Sequence, residues 1–339
     1  MQPNGQSITM SLVVPVYSGA AYLPDLVREI AALRDRWEEA GVRILISEAL
    51  FALDAPVDES AQVLADLAVQ YPWVRRVELS RNYGQHSATV AGILYSSGDW
   101  VVTLDEDLQH RPQQIEKLLI TACAERADVV YALPRHWVHG GGYRDVLSRF
   151  TKFLIARLSG NRFVQMFNSF RLIRGDIARA ASSICAQFTY FDVALTWFTQ
   201  RVTHVPLLLT DDRYTTGKRS GYRLYTLIQH AKRLILTSDF HILRVTTALS
   251  ALAFLVSAGY AGWIFWSKFI SGQAVAVQGW PSLMMVILAF GGLSIFFLGL
   301  IVEFVHMSLL QLLGKPAFFV VNRSSDDLLA SEVEKISRL

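Results

Sequence analysis

The chain has 339 residues, enough for two ordinary domains, and 52% of them are hydrophobic while only 18% are charged. This composition excludes a disordered or purely solvating chain. The net charge of +3 is too balanced for a nucleic-acid-binding protein, and the two separated cysteines, Cys123 and Cys185, exclude a disulfide framework and a cysteine-rich zinc site.

Short apolar runs alternate with helical patterns over residues 10–210. This alternation predicts an α/β fold with a mostly parallel, Rossmann-like sheet and helices on both faces. Strands are predicted at residues 11–17, 43–47, 74–79, 100–104 and 128–133. Helices are predicted at residues 23–40, 59–71, 87–97 and 112–124. Dinucleotide-binding GxGxxG, P-loop GxxxxGK[ST] and hydrolase GxSxG motifs are absent from the sequence.

An acidic segment follows the fourth predicted strand. Asp105, Glu106 and Asp107 come directly after the apolar run, and Gln109 follows two residues later. Ligands of such sheets bind outside the carboxyl ends of the strands. Carboxylate and amide oxygens suit Mg²⁺ or Mn²⁺ that keeps positions open for substrate phosphates. The segment predicts a divalent-cation site, although acidic triplets are also common in solvated turns.

A basic segment with two glycines precedes the apolar C-terminal part and contains Arg213, Lys218 and Arg219. Such a loop can hold phosphates through charge and backbone donors, and a charged linker explains it nearly as well. Residues 222–239 then place their apolar side chains largely on one helical face. This pattern predicts an amphipathic helix lying on a membrane surface.

Two long uncharged stretches predict a transmembrane hairpin with spans at about 245–266 and 283–305. Basic residues flank its outer ends, namely Arg233, Arg244 and Lys315. An excess of basic residues at these ends predicts that both termini lie in the cytoplasm.

Three glycines of the second span provide small surfaces for close helix contact: Gly291, Gly292 and Gly299. They would suit a homo-oligomer, either a dimer or a tetramer. Packing between the two spans of one chain explains the same glycines.

Motifs along nearly the whole chain occur together in one known family. They are VPVY at 14–17, LSRNYG at 79–84, LDEDLQ at 104–109, SFRLI at 169–173, the loop at 213–222 and the terminal hairpin. The chain thus resembles the polyprenyl-phosphate glycosyltransferases of the dolichol-phosphate mannose synthase type, inverting family-two enzymes with a GT-A fold. The resemblance implies metal-dependent sugar transfer from a nucleotide diphosphate, here expected to be a UDP-sugar, to a polyprenyl phosphate at the cytoplasmic membrane face. For a bacterial chain the expected lipid is undecaprenyl phosphate.

The resemblance also implies a role for each matching residue. The residues expected to bind the nucleotide are Pro15, Tyr17, Glu48, Arg81, Gln85 and Asp105. The residues expected to hold Mg²⁺ or Mn²⁺ are Asp105, Asp107 and Gln109. The residues expected to hold donor and acceptor phosphates are Arg135, Arg213, Lys218 and Arg219. The residues expected to be catalytic are Asp105, Asp107 and Arg171, although an ion pair at the sheet edge would explain Arg171 equally well.

Two positions depart from the family pattern. Where the family has an Asp-Gly-Ser sequence after the second strand, this chain has residues 47–50, so Glu48 is expected to replace the carboxylate that reads the base. Many members have an acidic residue just before the Phe-Arg-Leu segment, where this chain has Ser169. A serine is not basic at neutral pH. A lipid phosphate with a second pKa of about 6 is mostly dianionic at pH 7 and needs no base.

The sequence therefore predicts four segments. They are a cytoplasmic GT-A domain at 1–212, a phosphate-binding loop and interfacial helix at 213–243, a transmembrane hairpin at 244–314 and a cytoplasmic C-terminal tail at 315–339. The expected location is the inner (cytoplasmic) membrane, with the catalytic domain facing the cytoplasm and the product serving modification of envelope glycans.

Two other functions compete with this interpretation. A processive polysaccharide synthase would normally need more spans and a QxxRW-like motif, which the sequence lacks. A catalytically silent nucleotide-sugar-binding membrane protein is motivated by Ser169 and by residues 47–50.

Overall fold

The computed structural model describes residues 7–134, 162–185, 189–207, 241–270, 280–312 and 325–338. They fall into two compact units. The first, called the sheet unit, includes the β-sheet and also the residues from 316 onward. The second, called the hairpin unit, includes the two long apolar helices within residues 238–315. The predicted segment 213–243 lies outside the described residues up to position 240.

Seven described strands form one mixed sheet in the order β3-β2-β1-β4-β6-β5-β7. All strands run parallel except β6, which is antiparallel to both of its neighbours. The strands are β1 (Ile8–Val16), β2 (Ile44–Leu53), β3 (Val74–Glu78), β4 (Trp100–Thr103), β5 (Val129–Pro134), β6 (Arg171–Arg174) and β7 (Val202–Leu207).

Helices cover both faces of this sheet. On one face, apolar side chains of α1, α2, α4 and α9 form one core with β1 and β2, while α3, α5 and α6 form a second core on the other face. The helices of the sheet unit are α1 (Leu23–Glu39), α2 (Ser60–Gln70), α3 (Gln85–Leu94), α4 (Ile115–Ala124), α5 (Gly175–Ser183), α6 (Phe191–Phe198) and α9 (Asp326–Ile336). The prediction of a mostly parallel sheet between two helical layers is confirmed.

The second strand is twice as long as the sequence predicts. The polar residues Ser47 and Glu48 were expected to end it, but β2 continues to Leu53. The register with β1 shifts between Met10 and Ser11, so Ser47 is an extra residue of β2 and Glu48 pairs with Ser11. This β-bulge turns the Glu48 carboxylate toward polar partners inside the sheet unit. The predicted strand end at residue 47 was therefore wrong.

The last described residues form a packed helix, whereas the sequence predicts a tail at 315–339. Leu329, Val333 and Ile336 of α9 are at most 5% exposed and belong to the same core as α1 and α4. The carboxylate of Glu332 is fully buried and accepts hydrogen bonds from the backbone N (2.8 Å) and Nε (2.9 Å) of Arg43. The amphipathic helix α9 is thus part of the sheet unit.

The hairpin unit consists of α7 (His241–Phe269) and α8 (Trp280–Leu312). Their segments Ser250–Ser267 and Leu283–His306 are long and apolar enough to cross a membrane. Only 6% and 11% of the residues of these segments are buried, whereas a core helix of a soluble protein would be mostly buried. The predicted pair of C-terminal apolar helices is confirmed.

One glycine lies where these two helices pack most closely. A Cβ atom at Gly292 would lie 2.9 Å from the Ser257 Cβ on the neighbouring helix, which is too close for a larger residue. A Cβ at Gly291 would meet nothing within 4 Å. Packing within the hairpin therefore accounts for Gly292 without an oligomer.

Candidate active site

Polar side chains gather at the carboxyl edge of the sheet, where β1, β2 and β4 end. Because β6 runs in the opposite direction, the residues that precede it lie at the same edge. Thr103 at the end of β4 pairs with Arg171 at the start of β6, so Ser169 comes next to the acidic segment that follows β4. The sheet topology alone thus joins two segments that are more than 60 residues apart in sequence.

These side chains line a cleft of about 550 Å³, a volume within the usual range for ligand sites. Six residues predicted for the site are among its lining: Pro15, Tyr17, Gln85, Asp105, Asp107 and Gln109. Other lining residues are Val16, Asp54, Asn82, Gly84, Glu106 and Ser169.

Asp105 is held on both of its carboxylate oxygens. The Nε2 of Gln85 donates a hydrogen bond to Oδ1 (2.7 Å), and the Oγ of Ser169 donates one to Oδ2 (2.7 Å). Burial raises the pKa of Asp105, while the hydrogen bond from Ser169 opposes this rise. Ser169 therefore orients an acidic side chain in this chain, instead of supplying an acidic side chain of its own.

His110 lies behind Asp105. Its ring is 3% exposed and packs against Phe170, with 4.8 Å between the ring centroids. Its Nδ1 is 4.0 Å from the Oδ2 of Asp105, and neither ring nitrogen has a hydrogen-bond partner within the part of the chain that the structure describes. Burial lowers the pKa of His110, which favours the neutral imidazole.

The acidic segment makes a tight turn. Leu108 has a φ of +60°, a left-handed conformation that is rare for a branched side chain, and the N–H of Gln109 donates to the Oδ1 of Asp107 (3.2 Å). Backbone strain of this kind concentrates at functional sites. The turn brings Asp107 and Gln109 into the cleft beside Asp105.

Within the described part of the chain, no three His, Cys, Asp or Glu side chains converge into a metal site by themselves. Asp105, Asp107 and Gln109 offer carboxylate and amide oxygens in one cleft. Mg²⁺ is commonly bound by one or two carboxylates together with substrate phosphates. This donor set fits a cation that binds together with a nucleotide diphosphate.

Glu106 fixes the loop after β1. Its Oε2 accepts a hydrogen bond from the N–H of Tyr17 (3.0 Å), and its Oε1 accepts one from the N–H of Ser18 (3.1 Å). A Cβ at Gly19 would lie 2.5 Å from Oε2, so a larger residue there would displace the Glu106 carboxylate. Burial raises the pKa of Glu106, although these two hydrogen bonds oppose the rise.

The carboxylate that follows β2 is Asp54, which the sequence reasoning missed. Asp54 is 2% exposed, and its two oxygens accept hydrogen bonds from the N–H groups of Tyr83 (2.6 Å) and Gly84 (2.7 Å). The next residue, Ala55, has a φ of +48°, a left-handed conformation that favours glycine. An aspartate directly after the apolar run 49–53 was the signal that could have found it.

Glu48, the residue predicted to read the base, does not line the cleft. Its Oε1 accepts hydrogen bonds from Ser11 Oγ (2.7 Å) and Ser97 N (2.7 Å), and its Oε2 pairs with Arg75. Burial alone would raise the pKa of Glu48, but these hydrogen bonds outweigh it and lower the pKa. The carboxylate links β1, β3 and the segment between α3 and β4, and it lies inside β2, five residues before the strand ends.

Two predicted arginines also lie outside the lining of the cleft. Arg171 is 5% exposed, forms an ion pair with Asp192 and lies over the ring of Phe191. Burial lowers the pKa of Arg171, but the carboxylate of Asp192 outweighs this and raises it. Arg81 is exposed on the surface, with its guanidinium carbon 4.1 Å from the ring centroid of Tyr83.

The basic residues predicted to bind phosphates lie outside the described residues. They are Arg135, Arg213, Lys218 and Arg219. Their roles stay predictions.

Several known proteins are similar to this chain. The chain is 28% identical over 327 residues to the undecaprenyl-phosphate 4-deoxy-4-formamido-L-arabinose transferase of Sodalis glossinidius (strain morsitans), covering 96% of this chain and 97% of that protein. It is 27% identical over 330 residues to the protein of the same name from Pseudomonas aeruginosa (strain UCBPP-PA14), covering 96% and 94%. Mannosyl-3-phosphoglycerate synthase from Rubrobacter xylanophilus has a similar structure, with a TM-score of 0.47, 18% identity and coverage of 68% and 72%.

A family match covers every residue that lines the cleft and most of the sheet, but not β7. Residues 11–189, more than half of the chain, match the family described as glycosyl transferase family 2. This segment includes both the acidic turn after β4 and the serine before β6. The chain therefore belongs to glycosyl transferase family 2 and is a glycosyltransferase.

Proposed function

We propose that this chain is an integral membrane enzyme that transfers a sugar from a nucleotide diphosphate, expected to be UDP, to the phosphate of undecaprenyl phosphate. The product is a polyprenyl-phosphate sugar with an inverted anomeric centre. The observation that carries this proposal is the convergence of Asp105, Asp107 and Gln109 in one cleft of a family-two enzyme. The names of the relatives and the two apolar helices of the same chain support a lipid phosphate as the acceptor.

The donor set fits Mg²⁺ or Mn²⁺, which Asp107 and Gln109 would hold together with Asp105. When bound, the cation supplies positive charge to the diphosphate leaving group. The protein's own contribution is orientation: the turn at Leu108 presents Asp107, and Gln85 and Ser169 fix the carboxylate of Asp105.

The transfer needs no general base on the enzyme. A phosphate oxygen of the acceptor forms the new bond to the anomeric carbon, and the bond from that carbon to the donor diphosphate breaks. The nucleoside diphosphate leaves with the electron pair, and no proton moves. Ser169 donates a hydrogen bond to Asp105 and is not a base. Its presence agrees with this chemistry because the dianionic phosphate is itself the nucleophile.

The pH dependence of transfer should therefore follow the acceptor. We expect kcat/KM for the lipid to fall as the pH drops through about 6, the second pKa of a phosphate monoester. A polyprenyl phosphonate has a higher second pKa, so its acidic limb should lie at higher pH. The measurement is kcat/KM against pH for both acceptors, and an identical acidic limb for the two would mean that a group of the enzyme sets it.

Asp54, and not Glu48, is proposed to contribute to nucleotide binding. Asp54 lines the cleft and holds the loop that presents Asn82 and Gln85, whereas Glu48 is enclosed by Ser11, Ser97 and Arg75. A carboxylate at the end of the second strand also corresponds in position to the family's Asp-Gly-Ser sequence.

The pair Asp54→Asn and Glu48→Gln separates these two carboxylates. We expect Asp54→Asn to weaken UDP binding by about tenfold, because a charge-assisted hydrogen bond that holds the loop is lost. Glu48→Gln should leave UDP binding unchanged and lower the free energy of unfolding by about 1–3 kcal/mol. Calorimetric titration with UDP and thermal unfolding measure the two effects. Weaker UDP binding in Glu48→Gln but not in Asp54→Asn would assign nucleotide binding to Glu48 instead.

The hairpin is proposed to anchor the enzyme in the inner membrane with the sheet unit in the cytoplasm. The chain leaves the sheet unit after β7 and returns to it in α9, so it crosses the membrane an even number of times. Basic residues at the outer ends of the hairpin favour the cytoplasm for both ends. The basic residues of segment 213–219 are proposed to bind the lipid phosphate.

The decisive experiment measures release of nucleoside diphosphate by the detergent-purified full chain. The assay contains Mn²⁺, a panel of UDP- and GDP-sugars, and undecaprenyl phosphate either present or omitted. We expect release from one donor only, only with the lipid, and none in EDTA. Full activity in EDTA would contradict the metal role, polymer formation would indicate a processive synthase, and tight donor binding without release would indicate a silent sugar-nucleotide binder.

A further inference from the structure

His110 is a buried polar side chain beside the cleft, and the proposed chemistry does not explain its burial. Both nitrogens of its ring are buried and lack a hydrogen-bond partner among the described residues, so no hydrogen bond there offsets the free energy of desolvation. A leucine or phenylalanine would pack against Phe170 without that cost. The packing against Phe170 therefore does not explain why an imidazole occupies this position.

The Oδ2 of Asp105 is an acceptor that faces the ring and lies 4.0 Å from Nδ1. A normal N–H···O bond is about 2.9 Å long, so a shift of about 1 Å would close this gap. The same Oδ2 already accepts the hydroxyl of Ser169, while Gln85 occupies Oδ1. A carboxylate oxygen has room for a second donor.

We propose that His110 is a positioning residue, which donates Nδ1–H to the Oδ2 of Asp105 when cation and nucleotide bind. This inference rests on the proposed function, because it assigns Asp105 to the cation and nucleotide site. Ser169 and His110 then hold one oxygen from two sides and fix the rotation of the carboxylate. Partners of this kind behind metal-ligating side chains set the orientation of those side chains.

Two substitutions distinguish positioning from packing. His110→Leu keeps an apolar side chain against Phe170 and removes the donor, whereas His110→Asn keeps an N–H close to the position of Nδ1. The full chain in detergent is titrated with Mn²⁺ in the presence of UDP and, separately, of GDP. Free Mn²⁺ is followed by electron paramagnetic resonance without any acceptor, so this readout is independent of sugar transfer. Thermal unfolding confirms that each variant is folded.

We expect His110→Leu to melt no lower than the wild type and to bind Mn²⁺ about 10–100-fold more weakly with the nucleotide. His110→Asn should stay close to the wild type. The double variant Ser169→Ala/His110→Leu should lose less affinity than the sum of its parts, because both donors act on one oxygen.

Three results would overturn the proposal. The first is a folded His110→Leu variant that binds Mn²⁺ as the wild type does, and the second is an equal loss in His110→Asn. The third is a wild type that binds no Mn²⁺ with either nucleotide, which would remove the proposed metal role itself. The first two results leave the proposed function intact, so the two failures can be told apart.

Discussion

The Asp107→Asn enzyme is expected to keep its fold and to lose sugar transfer by about a thousandfold. Asparagine retains the oxygen that accepts the N–H of Gln109, so the turn after β4 should form as before. The carboxylate charge that would hold the cation is lost, and with it several kcal/mol of stabilisation of the leaving diphosphate. Turnover of the full donor panel at increasing Mn²⁺ measures the effect.

A surface aspartate provides the matched control. Asp25 on α1 pairs with Arg28, and both side chains are more than half exposed. Because exposed ion pairs contribute little, Asp25→Asn should change neither turnover nor Mn²⁺ dependence. If Asp107→Asn retained more than about a tenth of the wild-type turnover, Asp107 would not be a cation ligand, because loss of a ligand should lower turnover far more.

Removal of the last helix is expected to prevent the sheet unit from folding stably. A chain that ends at residue 324 lacks the buried side chains of Leu329, Val333 and Ile336. Their burial stabilises the fold by roughly 5–9 kcal/mol, which is comparable to the whole stability of an ordinary domain. We expect the shortened chain to be recovered as aggregate, whereas a tail without structure would be dispensable.

A point substitution at Glu332 tests the contact between α9 and the sheet unit without removing the helix. Glu332→Gln should lower the free energy of unfolding by about 2–4 kcal/mol at neutral pH. The substitution removes the buried negative charge that pairs with Arg43 and Lys335. The matched control is Arg338→Ala, which breaks an exposed pair with Glu334 on the same helix and should cost at most about 0.5 kcal/mol. Equal effects of the two substitutions on thermal unfolding would contradict the buried contact.

The Glu332 effect should also depend on pH in a defined direction. Burial raises the pKa of Glu332, but the hydrogen bonds from Arg43 and Lys335 outweigh this and lower the folded-state pKa. The stabilisation is therefore complete above the unfolded value of about 4.3 and disappears as the pH falls through the lower folded value. The difference between wild type and Glu332→Gln should shrink in acid, as measured by denaturant unfolding at several pH values.

The order of the first five strands and the first four helices was predictable because it depends on local patterns, whereas β6, β7, α5 and α6 were not predicted. Apolar runs with turn residues between them gave β1, β3, β4 and β5 to within a few residues. The end of β2 was not predictable in this way, because Ser47 and Glu48 look like a strand terminus. The carboxylate of Glu48 is satisfied by Ser11, Ser97 and Arg75, and the Oγ of Ser47 donates to the backbone oxygen of Met10 (3.3 Å), so all partners come from other parts of the chain.

The site residues that lie in one short segment were predictable from the sequence. Those whose role depends on tertiary contacts were not. Asp105, Asp107 and Gln109 follow one strand, so a motif was enough to find them. Arg171 matches a family motif, yet Asp192 pairs with it inside the sheet unit, 21 residues along the chain. The burial of His110 behind Asp105 has no signature in sequence spacing.

Because α9 belongs to the sheet unit but follows the hairpin in the chain, the sheet unit cannot complete its core early in synthesis. A ribosome makes α9 only after it has made both apolar helices, because α9 follows them in the chain. The core around α1 and α4 therefore stays open while the two apolar helices are being synthesised, and it closes once α9 emerges. The sheet unit thus completes its fold only after the hairpin unit has been made, so a nascent chain stalled before α9 should remain a substrate for chaperones and proteases.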